Sequence, residues 1–396
     1  MANKILQITH KPPFPKIDGG CLEIAKMSNY YDSSEEFELD IFSLSTYKHP
    51  FVEKEFKKSL TKKTNLFSVK ANTRPSFFGA LKAFFSGKSY NLSRFVNNVT
   101  IEKLIKLVHE NKYDFIQFES IYAAQFVSFI KPLSQAKLVL NTPNVEYNLW
   151  KQNASKASFL KKLYFNSLSK KLEKREIFIW RQMDGIICIS NEIENVIEKK
   201  NINTPTLVLP FKLNIEEYIG SKTNNNSPSF FHIGAMDWKP NKEGVNWFLN
   251  SVWKPISGEK TLHLAGKGIN KEEFNDLSSI YIHGFVDDSK EFMNSHDIMV
   301  VPLLTGSGMR IKIIEAMALG KCVISTTKGA EGINYTDKKN IWIANTPEDF
   351  TTTINQFINE PNLAEQIGLA ARVLVEQEYN SSNLDDSLIP FFNLLK

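Results

Sequence analysis

Between two apolar runs, Asp297–Leu304 and Cys322–Ser325, lies a stretch rich in groups that bind anions, Thr305–Gly320. The flanking runs read as buried strands, and the stretch itself reads as a turn followed by a helix. Gly306, Ser307 and Gly308 stand where strand hands over to helix, and Gly320 follows the last helical residue as a stop. Such a junction aims backbone N–H groups and the positive helix end at one point in space. Arg310 and Lys312 add two cations, flanked by Met309 and Ile311. A cation at that helix end loses about 0.3–1 kcal/mol to the dipole, which a diphosphate paired with both would offset. Glu315, set among Ile313, Ile314, Ala316 and Met317, needs a hydrogen-bond partner, and ribose hydroxyls supply one. The combination suits a nucleotide or a sugar phosphate; the plainer reading is a turn with solvated cations.

Other residues stand at strand ends, where α/β folds place chemistry. His10 closes the first strand, and Glu119 closes Phe115–Phe118 as a candidate for binding or deprotonating an acceptor hydroxyl. Lys239 and Asn241 follow a strand in the second half and would meet donor phosphate or sugar. Asp287 and Asp288 are adjacent loop carboxylates, a pattern usually solvated, so no metal is expected. Gly266-Lys267-Gly268 is followed by Lys271, so a nicotinamide fingerprint fails. Neither GxSxG nor HExxH occurs.

The elements that position these residues alternate between strand-like and helix-like along the whole chain, the pattern of an α/β fold with parallel sheets. Strands are expected at Lys4–Thr9, Leu39–Ser43, Phe115–Glu119, Lys137–Asn141 and Gly185–Ser190. A second series follows: Phe230–Gly234, Thr261–Ala265, Tyr281–His283, Ile298–Val301, Cys322–Ser325 and Ile341–Ile343. A helix is expected from Phe159 to Met183, with Leu160, Leu163, Tyr164, Leu168, Leu172 and Ile179 as its apolar positions. Another follows Ser190 as its cap, over Glu192–Lys200. The tract Lys222–Pro228 cannot bury anything and reads as linker. The expected division is 1–210, a linker 211–228, 229–375, and a final helix 376–396 packing back on the first domain. Doubly wound domains bind ligands outside the strand carboxyl ends, here at an interdomain cleft.

The chain has 396 residues, enough for two cores, with 42% hydrophobic and 23% charged residues. Cys21, Cys188 and Cys322 form no CxxC, so neither a disulfide framework nor structural zinc is expected. Met1–Ile8 lacks the apolar stretch of a signal peptide, and no window reaches the length of a membrane span. The expected place is the cytoplasm, at most peripheral to a membrane's inner face. The net charge of +5 is unevenly spread. Residues 54–106 carry twelve Lys and Arg against Glu55 and Glu102, interleaved with Phe77, Phe78, Phe84, Phe85, Tyr90 and Phe95. That suits contact with anionic lipid or, equally, a solvated basic face over packed aromatics. No nucleic-acid motif accompanies the charge.

Several segments together resemble the retaining GT-B glycosyltransferases of family 4, in their polysaccharide-biosynthesis branch. These are Phe231–Asn241, Trp247-Phe248, His283–Asp288, Gly306–Gly320 and Thr326–Ile333, with Pro12–Pro15, Gly19-Gly20 and Asn144–Trp150 in the first half. The resemblance implies two Rossmann-like doubly wound domains facing a cleft, a nucleotide-diphosphate sugar on the second and a glycan acceptor, possible in lipid-linked form, on the first. It places Gly19, Gly20 and Gly234 near the donor phosphates, Phe285 and Val286 beside the base, and Glu315 on the ribose. Asn144 and Glu146 fall with His10 and Glu119 on the acceptor side. Two positions depart from the pattern: Ser307 stands where relatives carry a glutamate, and Pro143 where they carry a histidine. The implied activity is retaining hexosyl transfer without a metal cofactor, with Arg310 and Lys312 on the leaving diphosphate. The rivals are an epimerase or phosphorylase on the same fold, and an inactive nucleotide-binding partner protein.

Overall fold

In the computed structural model the described residues are 2–61, 64–74, 76, 89–155, 157–221, 227–256, 260–269, 279–306, 308–381 and 384–396. The chain forms two compact units, Met1–Phe211 with Asn383–Lys396, and Lys212–Ser382.

The first unit is a seven-stranded sheet: β1 (Asn3–Thr9), β2 (Phe37–Ser45), β3 (Asn65–Lys70), β4 (Phe115–Glu119), β5 (Lys137–Thr142), β6 (Gly185–Cys188) and β7 (Thr206–Val208). All neighbours are parallel, in the order β3-β2-β1-β4-β5-β6-β7. Continuous apolar runs serve such strands because helices cover both faces. Leu6, Ile8, Ile116, Phe118, Leu138 and Leu140 pack on one side against α3 (Asn98–Glu110) and α5 (Phe159–Trp180). Ile5, Ile41, Phe115, Val139 and Ile187 pack on the other against α1 (Gly19–Ser33) and the last helix, α12 (Leu384–Leu395). The remaining helices are α2 (Glu53–Ser59), α4 (Glu146–Ser155) and α6 (Asn191–Glu198), with one-turn helices at Tyr90–Ser93, Ser120–Ala123 and Val127–Ile130.

Several expectations need amending here. β3 and β7 were not foreseen: they are the two edges, short and only half-buried, so neither shows a full apolar run. Gly19 and Gly20 are not a loop before a helix but its first turn, because Asp18 caps α1 by accepting from the Cys21 N–H at 2.8 Å. Ser190 stands at the cap position of α6 but gives no side-chain cap, its hydroxyl being turned to Glu192. In α5, Leu168, Leu172 and Ile179 are buried while Leu163 is exposed, since it is the C-terminal half that reaches the core. The side chain of Leu160 lies outside what is described.

The second unit is a six-stranded parallel sheet in the order β10-β9-β8-β11-β12-β13. Its strands are β8 (Ser229–Ile233), β9 (Thr261–Ala265), β10 (Ile280–Gly284), β11 (Ile298–Val301), β12 (Cys322–Ser325) and β13 (Trp342–Ile343). Phe230, Leu262, Leu264, Ile298, Val300 and Ile324 pack against α7 (Lys239–Phe248), α10 (Pro347–Asn359) and α11 (Pro361–Glu378). Two shorter helices, α8 (Ser289–Asn294) and α9 (Ile311–Ala318), follow β10 and β11. Residues 212–221, read from sequence as linker, are built into this unit. Leu213 bridges to Asn380, and Tyr218 is buried. Residues 222–226 of the same tract lie outside the described residues.

Candidate functional site

In the second unit the strand order reverses at β8, which has β9 on one side and β11 on the other. Open α/β sheets bind ligands beyond the carboxyl ends of the strands at such a point. The loops leaving β8 and β11 carry the residues singled out for anion binding, and the structure brings them together.

Helix α9 begins at Ile311 with Arg310 as its N-cap, and the Arg310 side chain gives no cap hydrogen bond. Its first amides lie at the positive end of the helix. Gly306 and Gly308 have φ of 106° and 87°, the left-handed region that glycine tolerates. A Cβ added at Gly306 would come within 2.9 Å of the Arg310 guanidinium and 3.0 Å of the Trp238 ring, so only a hydrogen fits between them. Arg310 lies over Trp238, 5.0 Å from the ring centroid, and donates to the Gly308 carbonyl. Burial lowers its basicity, with Glu331 opposing that shift. Ser307 lies outside the described residues; Met309 is half-buried beside Gly332.

Lys312 and Glu315 face each other one turn apart, with Nζ to Oε2 at 2.9 Å. The Lys312 ammonium also donates to Ser289 Oγ at 2.8 Å, and Glu315 Oε1 accepts from the Tyr218 hydroxyl at 2.9 Å. Glu315 is thus buried with Oε1 hydrogen-bonded to Tyr218 and Oε2 ion-paired to Lys312 but accepting no hydrogen bond among the described residues. Tyr218 escaped the sequence reading because it lies in the segment taken for linker; the aromatic at the end of Ile215-Glu216-Glu217 was the available signal.

The loop after β8 is braced from within. Asn241 Nδ2 donates to the Ala235 carbonyl at 3.0 Å, and a Cβ on Gly234 would sit 2.5 Å from that amide. Lys239 opens α7 and pairs with Glu243 at 3.2 Å across open surface, an interaction worth little. Trp238, which had no assigned role, is the residue of this loop that touches Arg310. Beyond β10, Phe285 is 71% exposed and Val286 half-buried. Asp288 caps α8, accepting from the N–H groups of Lys290 and Glu291 at 2.8 and 3.0 Å, which accounts for one of the paired aspartates.

The first unit has its own reversal, at β1 between β2 and β4. His10 follows β1, and its Nδ1 lies 2.9 Å from the Glu119 carbonyl and 3.0 Å from Ser120 Oγ. Burial, then neighbouring Lys11, push its pKa down to about 3, so the ring is neutral, donates through Nδ1–H, and keeps Nε2 as an acceptor. Ser120, at the strand end, has φ of 76°, a conformation a serine adopts only when its surroundings impose it.

Glu119 is not presented at the strand end. It is 2% exposed and takes three amide donors, Gln7 Nε2 at 2.7 Å, Gln117 Nε2 at 2.6 Å and Asn141 Nδ2 at 2.8 Å. Burial pushes its carboxyl up to about 7 against those three hydrogen bonds. The network continues to Ser28 and Tyr31 of α1, which donate to the carbonyl oxygens of Gln7 and Gln117 at 2.6 Å each. Glu146 opens α4 and accepts from Tyr122 at 2.8 Å, and burial raises its pKa. The Asn144 carbonyl accepts from Thr142 at 3.1 Å. The N-terminus of α4 is capped from α5 by Glu176, whose two oxygens accept from the amides of Glu146 and Tyr147 at 2.9 Å. Gly20 lies against Lys11, which with His49 pairs with Asp18 at 2.6 and 2.8 Å.

Of the basic aromatic span, Phe77, Phe78, Lys82, Phe84, Phe85 and Lys88 lie outside the described residues, while Phe95 is buried in the core. Among the described residues no helix is long and apolar enough to cross a membrane.

Comparison with known proteins supports the same frame. Residues 227–360 match the family described as "Glycosyl transferases group 1". A Klebsiella pneumoniae protein described as "Uncharacterized 44.6 kDa protein in cps region" is 24% identical over 97% of this chain and 98% of its own. Anabaena HepE, solved in complex with UDP and glucose, superposes with a TM-score of 0.69 at 14% identity, covering 99% of both chains. Sucrose-phosphate synthase from Thermosynechococcus elongatus superposes with a TM-score of 0.70 at 13% identity, again over 99% of both. The chain therefore has the GT-B architecture of two Rossmann-like parallel-sheet units, and its second unit holds a stretch that matches the glycosyl transferases group 1 family.

Proposed function

We propose that this protein is a retaining glycosyltransferase that moves a hexose-type sugar from a nucleotide diphosphate to a glycan, lipid-linked or free, in surface polysaccharide synthesis. The observation that carries the reading is the start of α9, where the N-cap residue Arg310 gives no side-chain cap and Arg310 and Lys312 stand at its first turn. Cleaving the bond between anomeric carbon and phosphate leaves negative charge on the departing diphosphate. Fixed cations and helix amides stabilise that charge as it develops, each such contact being worth about 2.7–4 kcal/mol by analogy with oxyanion holes. Glu315 takes the ribose hydroxyls, exposed Phe285 stacks beside the base, and Gly234 leaves room for the phosphates. The acceptor lies at the carboxyl edge of the first unit, against His10, Asn144 and Glu146. Retention follows the family resemblance, and the cps-region relative favours a polysaccharide acceptor.

UDP is the first nucleotide to try, since HepE was also solved with UDP-glucose. A thermal-shift panel of UDP, GDP, ADP, CMP and dTDP tests the site, because ligand at about 100 times its dissociation constant adds roughly 2.7 kcal/mol. No response to any nucleotide would defeat the proposal. Free nucleotide released without acceptor would favour an epimerase, and binding without turnover an inactive partner protein.

A further inference from the structure

We propose that His263, His283 and His296 form a binding site for one divalent transition metal ion of the zinc class on the second unit. It draws on no part of the nucleotide reading. His263 lies on β9, His283 on the edge strand β10, and His296 just after α8. Each offers one ring nitrogen, and all of these lie within 4.8 Å of one another. His263 Nδ1 and His283 Nε2 are already 3.0 Å apart, and the rings of His263 and His296 have centroids 4.1 Å apart.

Zinc–imidazole bonds of 2.0–2.1 Å put ligand nitrogens about 3.3 Å apart around a tetrahedral ion. Closing from the present spacing therefore needs a movement of at most about 1.5 Å, within reach of rotation about the soft final torsion of histidine. The surroundings are those of a metal site. His296 donates its Nδ1–H to the Phe292 carbonyl at 2.7 Å, which fixes the tautomer and leaves Nε2 for the ion. Phe292 lies 4.6 Å from the His296 ring and 5.1 Å from His283, and Tyr281 stacks on His263 at 4.9 Å, so one wall is apolar. His283 is exposed and gives the ion a way in. Three imidazoles without a carboxylate select zinc, nickel or copper over magnesium or calcium, and leave a fourth position to water. The bound ion would tie the edge strand to β9 and to the end of α8, the helix whose Ser289 holds Lys312.

The test uses the untagged full chain, stripped with a chelator, then titrated with zinc chloride by calorimetry and with cobalt(II) by visible absorption. One ion per chain with micromolar or tighter affinity is expected, together with a raised melting temperature. His283→Gln, at an exposed position, should keep the apo melting temperature and lose at least about tenfold in affinity, on the scale of metal-site perturbations. His283→Cys, which restores a zinc ligand, should recover binding. Failure of the wild type to bind zinc overturns the proposal. So does binding that survives His283→Gln unchanged, which would move the ion elsewhere, for instance to Asp18, Cys21 and His49.

Discussion

Replacing Glu119 with glutamine separates a buried strut from a proton acceptor. The wild-type carboxyl holds its proton up to about pH 7 in the folded chain, against an ordinary value of 4.5, because burial outweighs three amide donors. Between those values the folded chain binds more protons than the unfolded one, so stability falls as pH rises through that window. From pH 5 to pH 8.5 the loss amounts to about 2.5 kcal/mol. Glutamine does not titrate, so this component vanishes in the variant. The substitution carries its own cost, since Gln7 and Gln117 are pinned by Ser28 and Tyr31 and keep their amide donors aimed at position 119. The new amide nitrogen then meets the Asn141 donor, worth about 1–3 kcal/mol. That penalty is independent of pH, and other titrating groups such as His10 and Glu176 are common to both chains. The measurement is urea unfolding of wild type and Glu119→Gln at pH 5, 6, 7 and 8.5. The stability difference should move by about 2.5 kcal/mol in favour of the variant as pH rises. A difference constant to within about 0.5 kcal/mol, inside the scatter of such comparisons, would refute the reasoning.

Arg310→Ala should reduce turnover at least tenfold, and as much as about 10²–10³-fold if it holds the leaving group alone; an unchanged rate in a folded variant removes it from the mechanism. Tyr218→Phe leaves one oxygen of buried Glu315 without its donor, and should cost about 1.5–3 kcal/mol in the unfolding of the second unit while leaving the first unaltered. Lys312 and Glu315 share one ion pair, so their alanine variants should be non-additive, with a coupling of about 0.5–3 kcal/mol in a double-mutant cycle for nucleotide binding. Strict additivity there would mean that each meets the ligand separately.

The sheet interiors were legible because buried parallel strands are written as unbroken apolar runs, and Phe115–Glu119, Ile298–Val301 and Cys322–Ser325 fall on the residues expected. Edge strands lack that signature. Asn65–Lys70 has neither an unbroken apolar run nor strict alternation, and Thr206–Val208 is three residues long, so both fell below what periodicity can detect. The start of α9 was legible from glycine and cation spacing, since helix ends write their needs locally. Tyr218, Trp238 and Glu176 were not. Each acts on a partner far along the chain or in another loop: Tyr218 on Glu315, Trp238 on Arg310, Glu176 on the amides that open α4. Nothing local to an aromatic or a mid-helix glutamate announces such a contact.

The two strand-order reversals differ in charge, and the difference follows from how each unit disposes of its acids. In the first unit Glu119 is wrapped by amides, Glu146 is held by Tyr122, and His10 is neutral. Groups neutralised in this way suit hydroxyls, because a neutral hydrogen-bonding group meets a sugar without the cost of desolvating an ion. In the second unit one acid, Glu315, faces Lys312, while Arg310 and the start of α9 add positive potential, with Glu331 as a further charge near the guanidinium. A diphosphate gains most at such a place, since helix amides and a half-buried guanidinium act in reduced dielectric. In the proposed transfer the neutral groups of the first unit would meet hydroxyls and the cations of the second unit phosphates, and both sets arise from side chains consumed internally as much as from those displayed.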